Sequence, residues 1–406
     1  MTKEFEYMLR LFVNGSIGKK TEPDENVNID TLLKVAADNN VYYSILHSLL
    51  LSDNILDVEA REKNKQILKI AQLASYVRNL RFAEIFKSFE AAQIPYVLLK
   101  GYSAAVYYAD PYSRISSDTD VLISKCDEKR AIKLLLGKGF TVDKLQTKED
   151  KHCELIHPEL GVLELHFELY NERTAFLWFG DYAEKTSLKR NYSALNDVET
   201  LPVEEFSINI QSSNERIEFL FLHSLTHFIA GGTSIRTIMD FFLTYIRDKK
   251  INYEMFYKKI RDLGFTRYFN SIMAVIERFL CFDDIDVPYY KNPGDEFVDA
   301  ILKDMEVGKW LGYGNEFYDE IRNASFEKKE IKDFGKGRKI MKNFKKIFPE
   351  VRALKNNYSY ALKYPVLLPV AWFHRLLRFL FGESKYKNSK IDNCNRIELL
   401  KQFDLL

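Results

Sequence analysis

Glycine, cysteine and net charge are all scarce in this chain, and each shortage narrows the class of protein. Seventeen glycines among 406 residues, beside 24 tyrosines and 30 phenylalanines, indicate a helix-rich body packed with large side chains. A formal net charge of +1 gives no overall attraction to nucleic acid, so such binding would need a local basic patch. The four cysteines are far apart and form no C-x-x-C pair. This supports neither a zinc site nor a disulfide framework, and it favours a reduced, cytoplasmic compartment.

Long apolar runs are also missing. No stretch has the length and purity that a membrane span needs, and the first residues, MTKEFEYMLRLF, carry acids and do not resemble a signal peptide. Residues 364–381 are apolar but contain two prolines and two arginines, so we expect a terminal helix packed on the body; an interfacial membrane helix is the alternative. A composition of 46% hydrophobic and 29% charged residues is typical of a soluble globular protein, and the length predicts two or three packed subdomains.

The hydrophobic pattern predicts an α+β fold, in which a small mixed β-sheet core with helices is flanked by helical regions on both sides. The predicted divisions are an N-terminal helical region at 1–92, the α/β core at 93–175 and a C-terminal helical region at 176–406. In the first region, Asp30 is a candidate helix N-cap. Helical periodicity there covers residues 41–51 and 58–92.

Short apolar or alternating runs predict the strands of the core. These runs lie at 96–99, 121–123, 140–142, 153–157 and 162–169, and an amphipathic helix is predicted at 127–138. Residues 171–210 are polar and include a proline, so we expect them to be irregular. Two strong helices are predicted between residues 214 and 249.

The candidate chemistry lies at the start of the second predicted strand, where Asp118 and Asp120 are separated by one residue. Side chains alternate across a strand, so both carboxylates point to the same face. Two neighbouring carboxylates repel each other unless a cation joins them, and Mg²⁺ is a natural partner because it takes oxygen ligands. By itself a D-x-D pair is weak evidence, because such pairs are also common in surface loops.

The surrounding residues strengthen the interpretation. Lys100 and Gly101 follow the first predicted strand and offer a cation and a turn where backbone can approach a phosphate. Arg114 offers a guanidinium four residues before the pair. Glu164 and His166 share one face of a later strand, so that Glu164 is a candidate third carboxylate. Together these residues are typical of a two-metal site for phosphoryl or nucleotidyl transfer.

These motifs resemble the uncharacterised nucleotidyltransferase family of the polymerase-β-like superfamily. The resemblance is carried by LLKG, a tyrosine-rich short helix, R-x-x-x-D-x-D-x-L and a strand ending in E-L-H-F. It implies that Gly101 forms the glycine turn, with Ser103 two positions on, and that Asp118, Asp120 and Glu164 are the catalytic and metal-binding acids. Where the superfamily usually has glycine-serine this chain has Lys100-Gly101, and a glutamate stands at the third acid position, where aspartate is common.

The resemblance extends to the helical segment that contains His223, His227, Arg236 and Asp240. The two histidines are four residues apart but lack the glutamate of an H-E-x-x-H motif, so a hydrogen-bonded polar cluster is favoured over a metal site. Arg236 and Asp240 have the same spacing. They form either a salt bridge within the helix or part of the cleft, where Arg236 or a histidine would hold nucleotide or acceptor.

The sequence therefore predicts an Mg²⁺-dependent nucleotidyltransferase with two metal ions and an NTP donor, of which ATP is the first candidate. Lys100, Gly101, Ser103, Arg114, His166 and Arg236 are the predicted nucleotide- or acceptor-binding residues. The predicted acceptor is a small molecule, a sugar or a protein. The alternatives are an inactive nucleotide-binding scaffold and an enzyme acting on RNA through the basic run at 328–346.

Overall fold

The structure, a computed structural model, describes residues 1–142, 152–169, 193–230, 232–283, 285–308, 367–372 and 398–405. The chain divides into two compact units, residues 1–314 with 403–405 and residues 315–402 with 406. In the second unit, the described residues 367–372 and 398–402 form short helical segments. All elements named below belong to the first unit.

Four helices precede the sheet. They span Lys3–Ser16 (α1), Ile29–Asp38 (α2), Tyr42–Leu51 (α3) and Val58–Ala91 (α4), close to the predicted bounds of the last two. The predicted cap of α2 is wrong by two residues, because Asn28 Oδ1 accepts the hydrogen bond from the Thr31 amide at 2.9 Å. Asp30 lies inside the first turn instead, where a carboxylate interacts favourably with the helix dipole.

The described residues form a seven-stranded mixed sheet, which confirms the predicted α+β class. The strands span Tyr96–Leu98 (β1), Asp118–Ile123 (β2), Thr141–Val142 (β3), His152–His157 (β4), Gly161–His166 (β5), Val198–Val203 (β6) and Phe206–Gln211 (β7). Their order is β3-β4-β5-β2-β1-β7-β6. In the centre, β2 runs parallel to β5 and antiparallel to β1.

The prediction that residues 171–210 are irregular is wrong for β6 and β7. These two strands form an antiparallel hairpin, and β7 pairs in parallel with β1, so the sheet continues to residue 211. Pro202 is compatible with β6 because this strand lies at the edge of the sheet, where a missing backbone N–H need not interrupt a second ladder.

The remaining helices lie between the strands and after them. They span Tyr102–Ala105 (α5), Glu128–Gly137 (α6), Ser193–Asn196 (α7), Ser213–Ala230 (α8), Ile235–Arg247 (α9), Tyr253–Asp262 (α10), Thr266–Glu277 (α11) and Asp295–Gly308 (α12). The predicted pair of helices between residues 214 and 249 is confirmed as α8 and α9. Among the described helices, none combines the length and apolar composition needed to cross a bilayer.

The main core lies between α4 and one face of the sheet. Val121 and Ile123 of β2 are fully buried in it together with Phe82 and Phe86 of α4, and the Phe86 ring stacks on Tyr96 of β1 at 4.7 Å. Because side chains alternate along β2, Asp118 and Asp120 point to the opposite face. The packing of α4 therefore fixes the direction in which the two carboxylates point.

Arg78 of α4 connects this helix to the chain segments that enter the central strands. Its Nη1 donates to the Ser116 carbonyl at 2.8 Å, its Nε to the Leu160 carbonyl at 2.8 Å and its Nη2 to Thr119 Oγ1 at 2.9 Å. These acceptors lie just before or at the start of β2 and β5. The side chain thus holds the beginnings of both strands against the helix, a role that was not predicted from the sequence.

We expect Arg78→Met to lower the free energy of unfolding by about 3 kcal/mol, because it leaves two carbonyls and a hydroxyl without their donor. Urea unfolding followed by circular dichroism would measure the change. Arg81→Met is the matched control, since Arg81 is exposed and pairs with the exposed Glu159 at 3.5 Å, and we expect a change below about 0.5 kcal/mol. Equal changes in the two variants would contradict the role given to Arg78.

Candidate active site

The parallel pairing of β2 with β5 brings the predicted acids together. Asp120 lies beside Glu164 in the register, and Leu122 lies beside His166. The imidazole of His166 reaches back to both carboxylates: its Nε2 is 3.0 Å from Asp120 Oδ1 and 3.2 Å from Glu164 Oε2. Asp120 and His166 are buried, whereas Glu164 is partly exposed. The three side chains therefore offer oxygen and nitrogen ligands at one point, open on the Glu164 side.

Lys100 lies against the same carboxylates. Since β1 is antiparallel to β2, the end of β1 meets the start of β2, and the Lys100 ammonium lies 3.4 Å from Asp118 Oδ2 and 3.2 Å from Asp120 Oδ2. Burial lowers the pKa of Lys100, but the carboxylates of Asp120, Asp118 and Glu164 more than offset it and raise the pKa to about 12. The ammonium is therefore charged at neutral pH.

Both aspartates have lowered pKa values. For Asp118, burial raises the pKa, but Lys100 lowers it and so does the Ser116 hydroxyl, which donates to Oδ1 at 2.7 Å. For Asp120, burial again raises the pKa, while Lys100 and the hydrogen bond with His166 bring it far below its usual range. These carboxylates therefore stay ionised at neutral pH, the form in which they bind a cation.

The turn after β1 leaves backbone open beside Lys100. Gly101 has φ +76°, a conformation that L-residues rarely adopt, and a Cβ placed on it would meet no atom within 4 Å. Ser103 is fully buried two residues later, and its hydroxyl has no hydrogen-bond partner among the described residues. A buried hydroxyl without a partner is costly, so Ser103 offers a donor for a group that enters this turn.

Arg114 forms an ion pair that was not predicted from the sequence. Its guanidinium binds Asp240 of α9 in a bidentate manner, with Nε donating to Oδ1 at 2.8 Å and Nη2 donating to Oδ2. Tyr108 donates to the same Oδ1 at 2.7 Å, and all three side chains are buried. Asp240 thus pairs with Arg114 across the fold, whereas a salt bridge with Arg236 on the same helix was one of the two alternatives from the sequence.

Arg236 lies near the carboxylates without the bidentate pairing of Arg114. Its Nη1 donates to the Ile115 carbonyl at 3.3 Å, and with its oxygen turned toward Arg236 the Asn40 amide accepts from the same guanidinium at 3.0 and 3.2 Å. Its positive charge lowers the pKa of Asp118. Arg236 is therefore the second cation, after Lys100, on the Asp118 side of the site.

His223 and His227 of α8 form the polar cluster favoured from the sequence, because their Nε2 atoms lie 3.1 Å apart. After burial, Lys100 and His166, His223 is a further contributor to the pKa of Asp120, and it acts to lower that pKa.

Sequence reasoning missed two further residues on the same face of the sheet. In the antiparallel pairing of β4 with β5, Glu154 lies opposite Glu164 and His152 lies opposite His166, with the two imidazole rings 5.3 Å apart. The alternation of β4 was visible in the sequence, but its register with β5 was not. A period of two fixes the face of a side chain but not its neighbour on the next strand.

The comparisons with known proteins agree with this geometry. A family model described as "uncharacterised nucleotidyltransferase" matches residues 25–281, which is more than half of the chain. The matched region includes the whole sheet and continues through α8 and α9, which carry the histidine pair and Asp240. No curated protein matches the chain.

We expect Asp240→Asn to lower the free energy of unfolding by about 3–5 kcal/mol, because it leaves the buried Arg114 guanidinium without its counter-ion. Chemical denaturation would measure the loss. Asp299→Asn is the control, since that carboxylate is exposed and pairs with a partly exposed Arg278, so little change is expected. An Asp240→Asn protein as stable as the control would show that the buried pair does not hold α9 in place.

Proposed function

The chain belongs to the family of uncharacterised nucleotidyltransferases, and we propose that it moves an NMP group from an NTP to a hydroxyl or similar nucleophile of an acceptor. The enzyme class, transfer of a phosphorus-containing group, follows from the family. One observation supports the proposal most: Asp118, Asp120 and Glu164 share a sheet face, with the Lys100 ammonium 3.2 Å from Asp120. Carboxylates beside a phosphate-binding cation are the parts that nucleotidyl transfer needs.

The donor set fits a divalent metal ion. Asp118, Asp120 and Glu164 supply the carboxylate oxygens that Mg²⁺ prefers, and two of these side chains have a ligand atom within 4.8 Å of His166 Nε2. When bound, such an ion would neutralise the charge that develops on the phosphates. Mg²⁺ as the resident ion, and two ions as their number, remain predictions.

The phosphates of the donor would be held by the turn after β1. Lys100 keeps its charge at neutral pH, and the Gly101 backbone and the Ser103 hydroxyl lie next to it in the chain. Arg236 adds a cation on the same side. Arg114 is less suited to this task than the sequence suggested, since Asp240 takes two of its nitrogens and only Nη1 is left without a partner among the described residues.

Glu164 is the candidate general base because its side chain is partly exposed, whereas the Lys100 ammonium pairs with the other two acids, Asp118 and Asp120. Its carboxylate would accept the proton of the acceptor hydroxyl, whose oxygen then attacks the α-phosphorus. The bond between that phosphorus and the bridging oxygen breaks, and pyrophosphate leaves with its charge stabilised by Lys100 and Arg236. His166, 3.2 Å from Glu164 Oε2, would orient the base.

The proposed acceptor is a small molecule, a sugar or a protein, and ATP is the first donor to test. The basic run at 328–346, on which an RNA substrate depends, lies outside the described residues. The division at residues 92 and 175 and the cytoplasmic location also remain predictions.

We expect one NTP to bind in a metal-dependent manner and to lose this binding in Asp118→Ala/Asp120→Ala, because both aspartates would hold the ion that joins protein and phosphates. Isothermal titration of the four NTPs with Mg²⁺ would measure it. Asp53→Ala removes an exposed carboxylate paired with Lys20 and serves as the control. A well-folded wild-type protein that binds no NTP, with Mg²⁺ or Mn²⁺, would contradict the proposal.

We expect Glu164→Gln to slow transfer by about 100- to 10,000-fold, since the amide keeps an oxygen but cannot accept a proton. Transfer of label from [α-³²P]NTP into fractionated metabolites and proteins would be followed over time. Glu154→Gln is the matched control, because Glu154 lies opposite Glu164 on β4 and has no role in the mechanism. Equal rates in the two variants would remove Glu164 as the base.

A further inference from the structure

We propose that, before any nucleotide binds, the site takes a single divalent cation on Asp120, Glu164 and His166 and prefers a transition ion such as Mn²⁺ to Mg²⁺. The inference rests on the proposed metal-dependent function and concerns the identity and number of the ions. The sequence predicted two Mg²⁺ ions held by three carboxylates. In the proposed site, one of the three ligands is instead the His166 imidazole, and the Asp118 carboxylate pairs with Lys100.

The distances between the ligand atoms suit one ion. His166 Nε2 lies 3.0 Å from Asp120 Oδ1 and 3.2 Å from Glu164 Oε2, and all three ligand atoms lie within 4.8 Å of one another. Ligands about 2.1 Å from an ion are about 3.0 Å apart at adjacent octahedral positions and about 3.4 Å apart in a tetrahedron. The two distances from His166 Nε2 thus already equal separations of ligands on one metal, and the two carboxylate oxygens lie within 4.8 Å of each other.

Lys100 takes the place of a second cation. Its ammonium lies on the other side of Asp120, 3.2 Å from one oxygen of that side chain and 3.4 Å from Asp118. Three carboxylates and the Lys100 ammonium carry a net charge of −2, and the Arg236 guanidinium on the Asp118 side reduces it further. A single divalent ion is therefore enough to neutralise the site. A second divalent ion would have to displace the ammonium or lie beside it, and like charges at that distance repel strongly in a buried site.

The imidazole decides which ion is preferred. Mg²⁺ binds oxygen ligands almost exclusively and gives up its water slowly, whereas first-row transition ions accept imidazole nitrogen readily. His166 lies beside Leu122 and opposite His152 in the strand register, and its Nε2 is 3.0 Å from Asp120 and 3.2 Å from Glu164. An imidazole nitrogen among the ligands raises the affinity of the site for a transition ion but not for Mg²⁺.

The test uses the full chain without nucleotide. Isothermal titration with Mn²⁺ and with Mg²⁺ gives stoichiometry and affinity, and pulsed electron paramagnetic resonance of the Mn²⁺ complex detects a bound ¹⁴N nucleus. We expect one Mn²⁺ per chain, a ¹⁴N coupling, and Mg²⁺ affinity at least about tenfold weaker. Lys100→Met should raise the Mn²⁺ stoichiometry to two.

Two matched variants assign the nitrogen. His166→Gln should abolish the ¹⁴N coupling and remove most of the preference for Mn²⁺. His152→Gln, which changes the imidazole 5.3 Å away on β4, should keep both. Circular dichroism of each variant checks that it is folded.

Three results would overturn the proposal: no metal binding without nucleotide, two equivalent ions in the wild type, or a ¹⁴N coupling that survives His166→Gln and disappears in His152→Gln. These failures are distinct from failure of the proposed function. NTP titration of the same samples reports on that function separately, and metal-dependent NTP binding could persist after any of them.

Discussion

The repulsion between carboxylates gathered on a buried sheet face is the constraint on which the site depends. Asp118 and Asp120 project side by side from β2, and the pairing with β5 adds Glu164. Water cannot screen this repulsion well because Asp120 is almost fully buried. Lys100 and His166 relieve it from opposite sides of Asp120. Lys100 and His166 thus supply the positive charge and the hydrogen-bond donor that the carboxylates require. The same concentration of negative charge favours the binding of a cation.

Two buried ion pairs position α9, one with Arg114 near the site and one with Arg216 of α8. Asp240, near the middle of α9, accepts from Arg114 and Tyr108, and Asp248, just after its end, accepts from Arg216 at 2.5 Å and from Tyr107 at 3.0 Å. Two consecutive tyrosines after α5 thus contact two positions along one helix. Buried ion pairs contribute little net stability because burial costs solvation energy, so their value here lies in orientation. They set the direction from which Arg236, one turn before Asp240, approaches Asp118.

Much of the site was predictable from the sequence because strand alternation is local. The period of two placed Asp118 with Asp120 and Glu164 with His166, and Gly101 marked the turn. The resemblance grouped Glu164 with the two aspartates, but other partners far apart in sequence were not predictable. The pairing of Arg114 with Asp240 and the three bonds of Arg78 depend on tertiary packing. The strands β6 and β7 were missed for a related reason, since Pro202 reads as a strand breaker unless the strand is known to be an edge.

Arg114 illustrates how the fold reassigns a residue that the sequence marks as chemical. Judged from the sequence alone, a guanidinium four residues before an acidic pair is well suited to bind phosphate. In the fold it is buried, and Asp240 satisfies two of its nitrogens, so a phosphate would have to compete with an internal carboxylate. Lys100, by contrast, keeps its predicted role, because its ammonium contacts two carboxylates to which an incoming metal–nucleotide complex would also bind. Lys100 is therefore the cation placed to meet a phosphate at this site, whereas Arg114 is part of the structure that supports it.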